Sequence, residues 1–309
     1  MINRELIRQK AVQITYSYYQ NGDGNPDTAE RELLFSLSKA YDLYNSMLLL
    51  MVDLSRIATR TLEMRQNRLR RLGDYTTLSR RFVDNKFMLQ LESNKQLKEF
   101  RENMKRNWAD EEEFLRSLLA KVEDADFFKE YMSRKESGYA EDREVWRMIY
   151  RHFICNNEDL DAILEDMNIY WNDDKVVVDT FVLKTINRFS EESNDSQPLL
   201  PEYKDEEDRE FAVRLLRRTL ANESYLQNLI SNSTRRWDVN RVALMDRVIL
   251  QVALAEIISF PSIPISVTIN EYVEMSKMYS TPNSSKYINA TLDAISKKLV
   301  EEKRIVKSM

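Results

Sequence analysis

The stretch WDVNRVALMDRVILQVALAEIISFPSIP, residues 237–264, decides how the rest of the chain is read. Between Val239 and Ile258, the side chains Val242, Met245, Ile249, Val252 and Ile257 fall on one helical stripe. Leu244, Val248 and Leu250 put further apolar surface on other faces. A helix that is apolar nearly all round has no face to give to water, so this one is expected at the centre of a helical domain. The run Phe260-Pro261-Ser262-Ile263-Pro264 ends it, because proline lacks an amide donor and drives its predecessor out of helical geometry. Two amphipathic helices are expected beyond it, one lined by Ile269, Tyr272, Val273 and Ser276 and the other by Ile288, Leu292, Ile295 and Leu299.

Composition points the same way. Among 309 residues there are only four glycines and six prolines, so loops are scarce and an all-α fold is favoured over a sandwich or a doubly wound sheet. A hydrophobic share of 43% with 31% charged residues is that of a water-soluble globular chain large enough for one or two domains. The single cysteine, Cys155, allows no internal disulfide, and the polar, charged N-terminus offers no secretory signal; a reducing cytoplasm is the expected compartment. The longest apolar run, Met47 to Val52, is far shorter than the roughly twenty residues that cross a bilayer, so no membrane association is expected.

Most catalytic chemistries lack their residues here. The only histidine, His152, stands three before Cys155, but a four-ligand metal site needs more histidine and cysteine than the chain has. Gly22, Gly24, Gly73 and Gly138 are too dispersed for a phosphate-binding loop, and nothing around His152 resembles a nucleophile turn. A paired-carboxylate site is not signalled among the many acidic residues. No metal, no cofactor and no enzymatic activity are expected.

In chain order, a first helix is expected over Asn3 to Tyr19, with Leu6, Ala11, Ile14 and Tyr18 inward and Arg4, Arg8 and Lys10 outward. The turn cluster from Asn21 to Asp27 ends it. A long helix then starts near Thr28, with Leu34, Leu37, Tyr41, Tyr44, Leu48 and Met51 at three/four spacing, and continues into Arg56, Arg60, Arg65, Arg68, Arg70 and Arg71. Net charge is −5, yet 13 Lys/Arg face 6 Asp/Glu between Arg60 and Arg106, so a basic patch stands on an acidic chain. From Glu141 to Lys184 the chain repeats itself at Glu207 to Leu250, an offset of 66, with 10 identities in 44 positions against roughly three from composition. Glu-Asp-Arg-Glu, Trp171/Trp237, Val176/Val242 and Val182/Val248 coincide, which reads as a degenerate copy of a helix pair. Glu191 to Asp208, acidic and carrying Pro198 and Pro201, is expected as an exposed linker.

Thr268-Ile269-Asn270-Glu271, with Glu274 and Lys277, then Ser285-Lys286-Tyr287-Ile288-Asn289 and Leu292-Asp293-Ala294-Ile295, resemble the C-terminal signature of the NusB family of bacterial transcription antitermination factors. Arg8 to Tyr18 is similar to the first helix of that family, and Trp237 to Glu256 to the helix preceding the signature. The resemblance implies NusB-like helical bundles, with 1–25 and 207–309 forming the core. An additional helical subdomain, 28–190, would be inserted between them, followed by an acidic linker, 191–206. It also implies binding of single-stranded boxA RNA from ribosomal RNA leaders together with the ribosomal protein NusE, within an RNA polymerase antitermination complex. Arg4, Arg8, Lys10, Lys286 and Tyr287 would supply the RNA contacts if the first and last helices adjoin; carried over by position, Tyr16 and Glu256 would face the protein partner. Phosphates call for the basic groups and unstacked bases for the aromatic one. Two other readings stand beside this one. The first is an RNA-modifying enzyme carrying a NusB-like domain, against which the insertion lacks a glycine-rich strand-turn-helix and Cys155 is a poor nucleophile match. The second is a protein-only scaffold acting through the insertion.

Overall fold

The computed structural model describes residues 1–22, 24–134, 138–171, 173–233 and 242–307, and among them there are fourteen α-helices and no β-strand. In chain order these are α1 (Arg4–Asn21), α2 (Pro26–Arg71), α3 (Lys86–Ser93), α4 (Lys95–Asn103), α5 (Glu112–Asp124), α6 (Asp126–Ser133) and α7 (Tyr139–Ile149). They are followed by α8 (Glu158–Met167), α9 (Lys175–Arg188), α10 (Glu206–Ala221), α11 (Glu223–Ser233), α12 (Leu244–Ser259), α13 (Ile265–Tyr279) and α14 (Ser284–Glu301). The chain is all-α, as its composition implies. It divides into two compact units: a terminal unit of residues 2–38 and 203–309, and an inserted unit of 39–202 with Met1. The insertion is expected from residue 28, whereas the division falls at Lys39, inside α2.

In the terminal unit α12 is the central element. Every residue from Val248 to Ile257 is buried, and α12 packs against α1, α10, α11, α13 and α14. The helix begins at Leu244, not Val239; Trp237, Val239 and the rest of 234–241 lie outside the described residues. Helix α1 is enclosed almost as fully, with Leu6 to Val12 buried without interruption. Its start is fixed by the Asn3 side chain, which accepts the Leu6 N–H at 2.9 Å, and its end by Gly22 at φ 66, a left-handed conformation that costs glycine little. The outward orientation expected for Arg8 and Lys10 is therefore corrected: both are inside, at 4% and 3% exposure.

The inserted unit has its own central helix. The apolar run Met47 to Val52 lies within a stretch of α2, Leu43 to Ser55, in which every residue is buried. Trp108 donates its indole N–H to the Ser46 carbonyl at 2.8 Å, and Trp171 donates to that of Lys39 at 2.8 Å, so both rings are held on α2. Phe82 sits between Phe128 and Trp146, with ring centroids 4.9 and 5.0 Å away.

The acidic segment after α9 lacks helix and is largely exposed, as expected, but its backbone is tied down by hydrogen bonds. Gln90 donates to the carbonyls of Ser190 and Ser193 at 3.0 and 2.8 Å, Asn94 donates to that of Gln197 at 2.8 Å, and the Lys95 N–H donates to that of Asp195 at 2.8 Å. Leu199 and Leu200 are buried, and the Leu200 N–H reaches the Tyr44 hydroxyl at 3.1 Å. Polar side chains of α3, the turn after it and α4 thus supply the partners that helix would otherwise give this backbone.

An offset of 66 carries α8 onto 224–233, within one residue of α11, and places α7 and α9 over α10 and α12. Asp142 and Asp208, aligned by the same offset, are both buried near the start of their helices. Asp142 accepts the Tyr131 hydroxyl and the Lys86 N–H, each at 2.8 Å; Asp208 accepts the Arg4 guanidinium at 3.1 Å. Among the described residues no helix is long and apolar enough to cross a membrane.

Candidate nucleic-acid and partner interface

The polar centre of the terminal unit is Glu256, fully enclosed at 0% exposure on the apolar helix α12. A buried carboxylate is tolerated only when its oxygens are satisfied. Arg8 on α1 supplies two donors, Nε at 2.8 Å and Nη2 at 3.0 Å, in a bidentate pair. Thr268 and Tyr272 on α13 add their hydroxyls at 2.8 and 3.0 Å. Arg8 also reaches Glu271 at 3.2 Å through Nη1. Burial works against the Arg8 charge, but the hydrogen bonds and charge of Glu256 outweigh it and leave the guanidinium pKa raised. Burial, reinforced by the Glu256 charge, pushes the Tyr272 phenol well up, so it acts as a donor.

The α13 members of this cluster are placed by their local sequence, and Arg8 by the packing of α1 on α12. Arg8 is where the capped first helix crosses α12. Thr268, Glu271 and Tyr272, at three- and four-residue spacing on α13, share the face that also buries Ile265, Ile269 and Met275. A second tie fixes where α14 starts: Asp246, in the first turn of α12, accepts the hydroxyls of Ser280 and Ser284, the latter at 2.8 Å. Gln9 and Gln13 both donate to the Tyr279 hydroxyl, Gln13 at 3.0 Å, so the middle of α1 is bound to the end of α13.

The residues singled out in the sequence separate into two groups. Lys286 is exposed, and Tyr287 beside it is half-buried, with its phenol pKa raised by burial. Arg4 is partly exposed; it pairs with Glu207 at 2.6 Å and Asp208 at 3.1 Å and lies over the Phe211 ring. Tyr16 is half-buried, with its hydroxyl accepting from Gln20 at 2.9 Å. Arg8, Lys10 and Glu256, by contrast, are interior. Glu256, read as facing a protein partner, is the hub of an internal network. Thr268, Tyr272 and Asp246 were not singled out as functional, although an acid inside an otherwise apolar helix, as at Asp246 and Glu256, is the signal that could have found the clusters.

The NusB family profile matches residues 176–297, which run from α9 through most of α14. The transcription antitermination protein NusB of Salinibacter ruber is 31% identical over 133 residues, 41% of this chain and 83% of that protein. The chain belongs to the NusB family. NusB of Thermotoga maritima is 40% identical over 89 residues, 29% of this chain and 63% of that protein. A solved structure of the T. maritima NusB is 33% identical, covering 40% of this chain and 78% of that one, with a TM-score of 0.31. Every part of the Arg8–Glu256 cluster except Arg8 falls inside the NusB profile, and most of the inserted unit falls outside it.

Proposed function

We propose that this NusB-family chain is a non-enzymatic transcription antitermination factor that binds boxA-type single-stranded RNA of ribosomal RNA leaders together with the ribosomal protein NusE. The observation that carries the proposal is the Glu256 cluster, which ties the first helix to the Ile-Asn-Glu helix and makes one body of the segments that resemble the family. The names of the relatives support the antitermination role.

Burial assigns different tasks to the carried-over residues. Lys286 and Tyr287, with Arg4 at the start of α1, form the RNA-facing set, since a phosphate contact requires a reachable cation and stacking requires a reachable ring. Arg8 acts behind that surface as a positioning residue: its donors are committed to Glu256, and a phosphate would have to break a buried bidentate pair to reach them. Lys10, two residues further along α1, is buried as well and is not offered to RNA as a surface cation. Tyr16, half-buried on α1, remains the residue offered to the protein partner.

The test is filter binding of a boxA oligoribonucleotide to the full chain, with and without NusE. Binding strengthened by NusE, and weakened by Lys286→Ala in both conditions, is the expected result. Absence of boxA binding in both conditions would overturn the proposal.

A further inference from the structure

The C-terminal end of α2 in the inserted unit carries a surface that the family resemblance does not explain. Over residues 63–81 there are six arginines and two carboxylates in a chain of net charge −5. Three of the arginines are engaged. Arg65 forms a double hydrogen bond to Glu123 at 2.7 Å, Arg80 pairs with Asp84 at 3.0 Å, and Arg81 donates to the Arg134 carbonyl and lies over the Tyr131 ring. Arg68, Arg70 and Arg71 are exposed and have no ion pair among the described residues.

Beside them stand Leu72 at 73% exposure and Tyr75 at 80%, the most exposed aromatic side chain of the described residues. Cations at a helix C-terminus offset its dipole, which accounts for arginines there but not for a tyrosine and a leucine in water. The loop holding Tyr75 is built rather than slack. Gly73, at φ 79, lets the chain reverse, and the Asp74 N–H donates back to the Leu69 carbonyl at 3.0 Å. Gln66 then clasps the loop from both sides, donating to the Thr76 carbonyl and accepting the Leu78 N–H, each at 2.9 Å. The Asp74 carboxylate is turned to the Thr76 N–H at 2.9 Å. An exposed ring on a hydrogen-bonded loop, a few residues after three exposed guanidinium groups without an ion pair among the described residues, is the combination that single-stranded nucleic acid uses: cations for the backbone and a π-face for a base.

We propose that this tip is a second, sequence-tolerant contact for single-stranded RNA, with Arg68, Arg70 and Arg71 on phosphates and Tyr75 stacking on a base. It goes beyond boxA recognition by the terminal unit and does not depend on it. The probe is a 5′-labelled dodecauridylate, which lacks a boxA sequence, titrated by anisotropy against the full chain over a series of salt concentrations. Replacing all three arginines (Arg68→Gln, Arg70→Gln, Arg71→Gln) is expected to weaken binding at least tenfold and to flatten the slope of log affinity against log salt by about 2, near 0.7 for each phosphate contact. Tyr75→Ala is expected to weaken binding about tenfold at every salt concentration with the slope unchanged, and Tyr75→Phe to restore it. These positions are on the surface, so unchanged melting curves of the variants exclude misfolding as the cause. Unaltered binding by the triple and Tyr75→Ala variants would overturn the proposal, as would loss on removing charge with no response to Tyr75→Ala, which is the behaviour of unspecific attraction. Polyglutamate that competes at equal charge and depends on Tyr75 would overturn it in favour of an acidic protein partner. Lys286→Ala, assayed in parallel with boxA RNA and NusE, reads the terminal unit alone and keeps the two failures apart.

Discussion

Arg8 and Glu256 stand 248 residues apart in the chain and are joined by two hydrogen bonds, 2.8 and 3.0 Å long, inside the terminal unit. Residues 39–202 of the inserted unit lie between them in sequence, so this pair closes the family core across that insertion. Because the Glu256 carboxylate also takes the hydroxyls of Thr268 and Tyr272, the pair is the centre of a fully bonded network and not an isolated ion pair.

Removing one member of such a pair leaves an uncompensated buried charge. Arg8→Ala is expected to destabilise the terminal unit by about 3–5 kcal/mol, whereas Arg8→Met with Glu256→Leu should cost far less or nothing, since apolar side chains of similar volume often replace a buried pair without loss. Urea unfolding of the two single variants and the double variant measures this. A double variant as unstable as Arg8→Ala would show that the network acts through Thr268 and Tyr272 and not through the pair.

The burial of α12 could be read from its apolar composition, although the resemblance implies that Glu256 within it faces a protein partner, and the breaks at Asn21–Asp27 and Phe260–Pro264 could be read from turn chemistry. The partner of Glu256 could not. Periodicity assigns a residue to a helix face, but Arg8 meets α12 through a contact with no local signature, and a basic residue near a chain end ordinarily faces water. The hydrogen bonds that hold the segment after α9 are hidden for a related reason. Its acidity and prolines describe a solvated linker, while the side chains that hold it, Gln90, Asn94 and Gln96, sit a hundred residues earlier on surfaces that periodicity alone marks as polar.

Trp171 tests whether the degenerate copy is structural. It is buried, and its indole N–H donates to the Lys39 carbonyl on α2. Trp171→Ala removes both the ring and that bond, and truncating a large buried aromatic costs about 3–5 kcal/mol. For a unit of this size the midpoint of thermal unfolding is expected to fall by on the order of 10 °C. A calorimetric trace that does not shift would make the ring dispensable.

Cys155 is half-buried, and burial, reinforced by the charge of Asp179, pushes its thiol pKa up to about 12. Asp179 is itself held by Lys175 at 3.0 Å and the Tyr150 hydroxyl at 2.6 Å, so its charge is fixed close by. A raised thiol pKa lowers the thiolate population at every pH below it. At pH 8 the thiolate is far scarcer than in a free cysteine, and alkylation by iodoacetamide should be slow there and keep accelerating with pH well above the ordinary thiol range. Rapid labelling at neutral pH would contradict the assignment and reopen Cys155 as a nucleophile.

The division between surface and interior residues on the proposed RNA face has a kinetic-free readout. Each phosphate neutralised in a single-strand complex adds roughly 0.7 to the slope of log affinity against log salt. Lys286 is exposed, so Lys286→Ala is expected to lower that slope by about 0.7 with boxA RNA, and Tyr287→Ala to weaken binding with little change in slope. Arg8 is committed to Glu256, and for it the informative variant is the paired replacement Arg8→Met with Glu256→Leu, which removes the guanidinium without stranding a buried carboxylate. That variant is expected to keep the wild-type slope. If it instead loses about 0.7, Arg8 reaches a phosphate in the complex, and the buried pair with Glu256 must open when RNA binds.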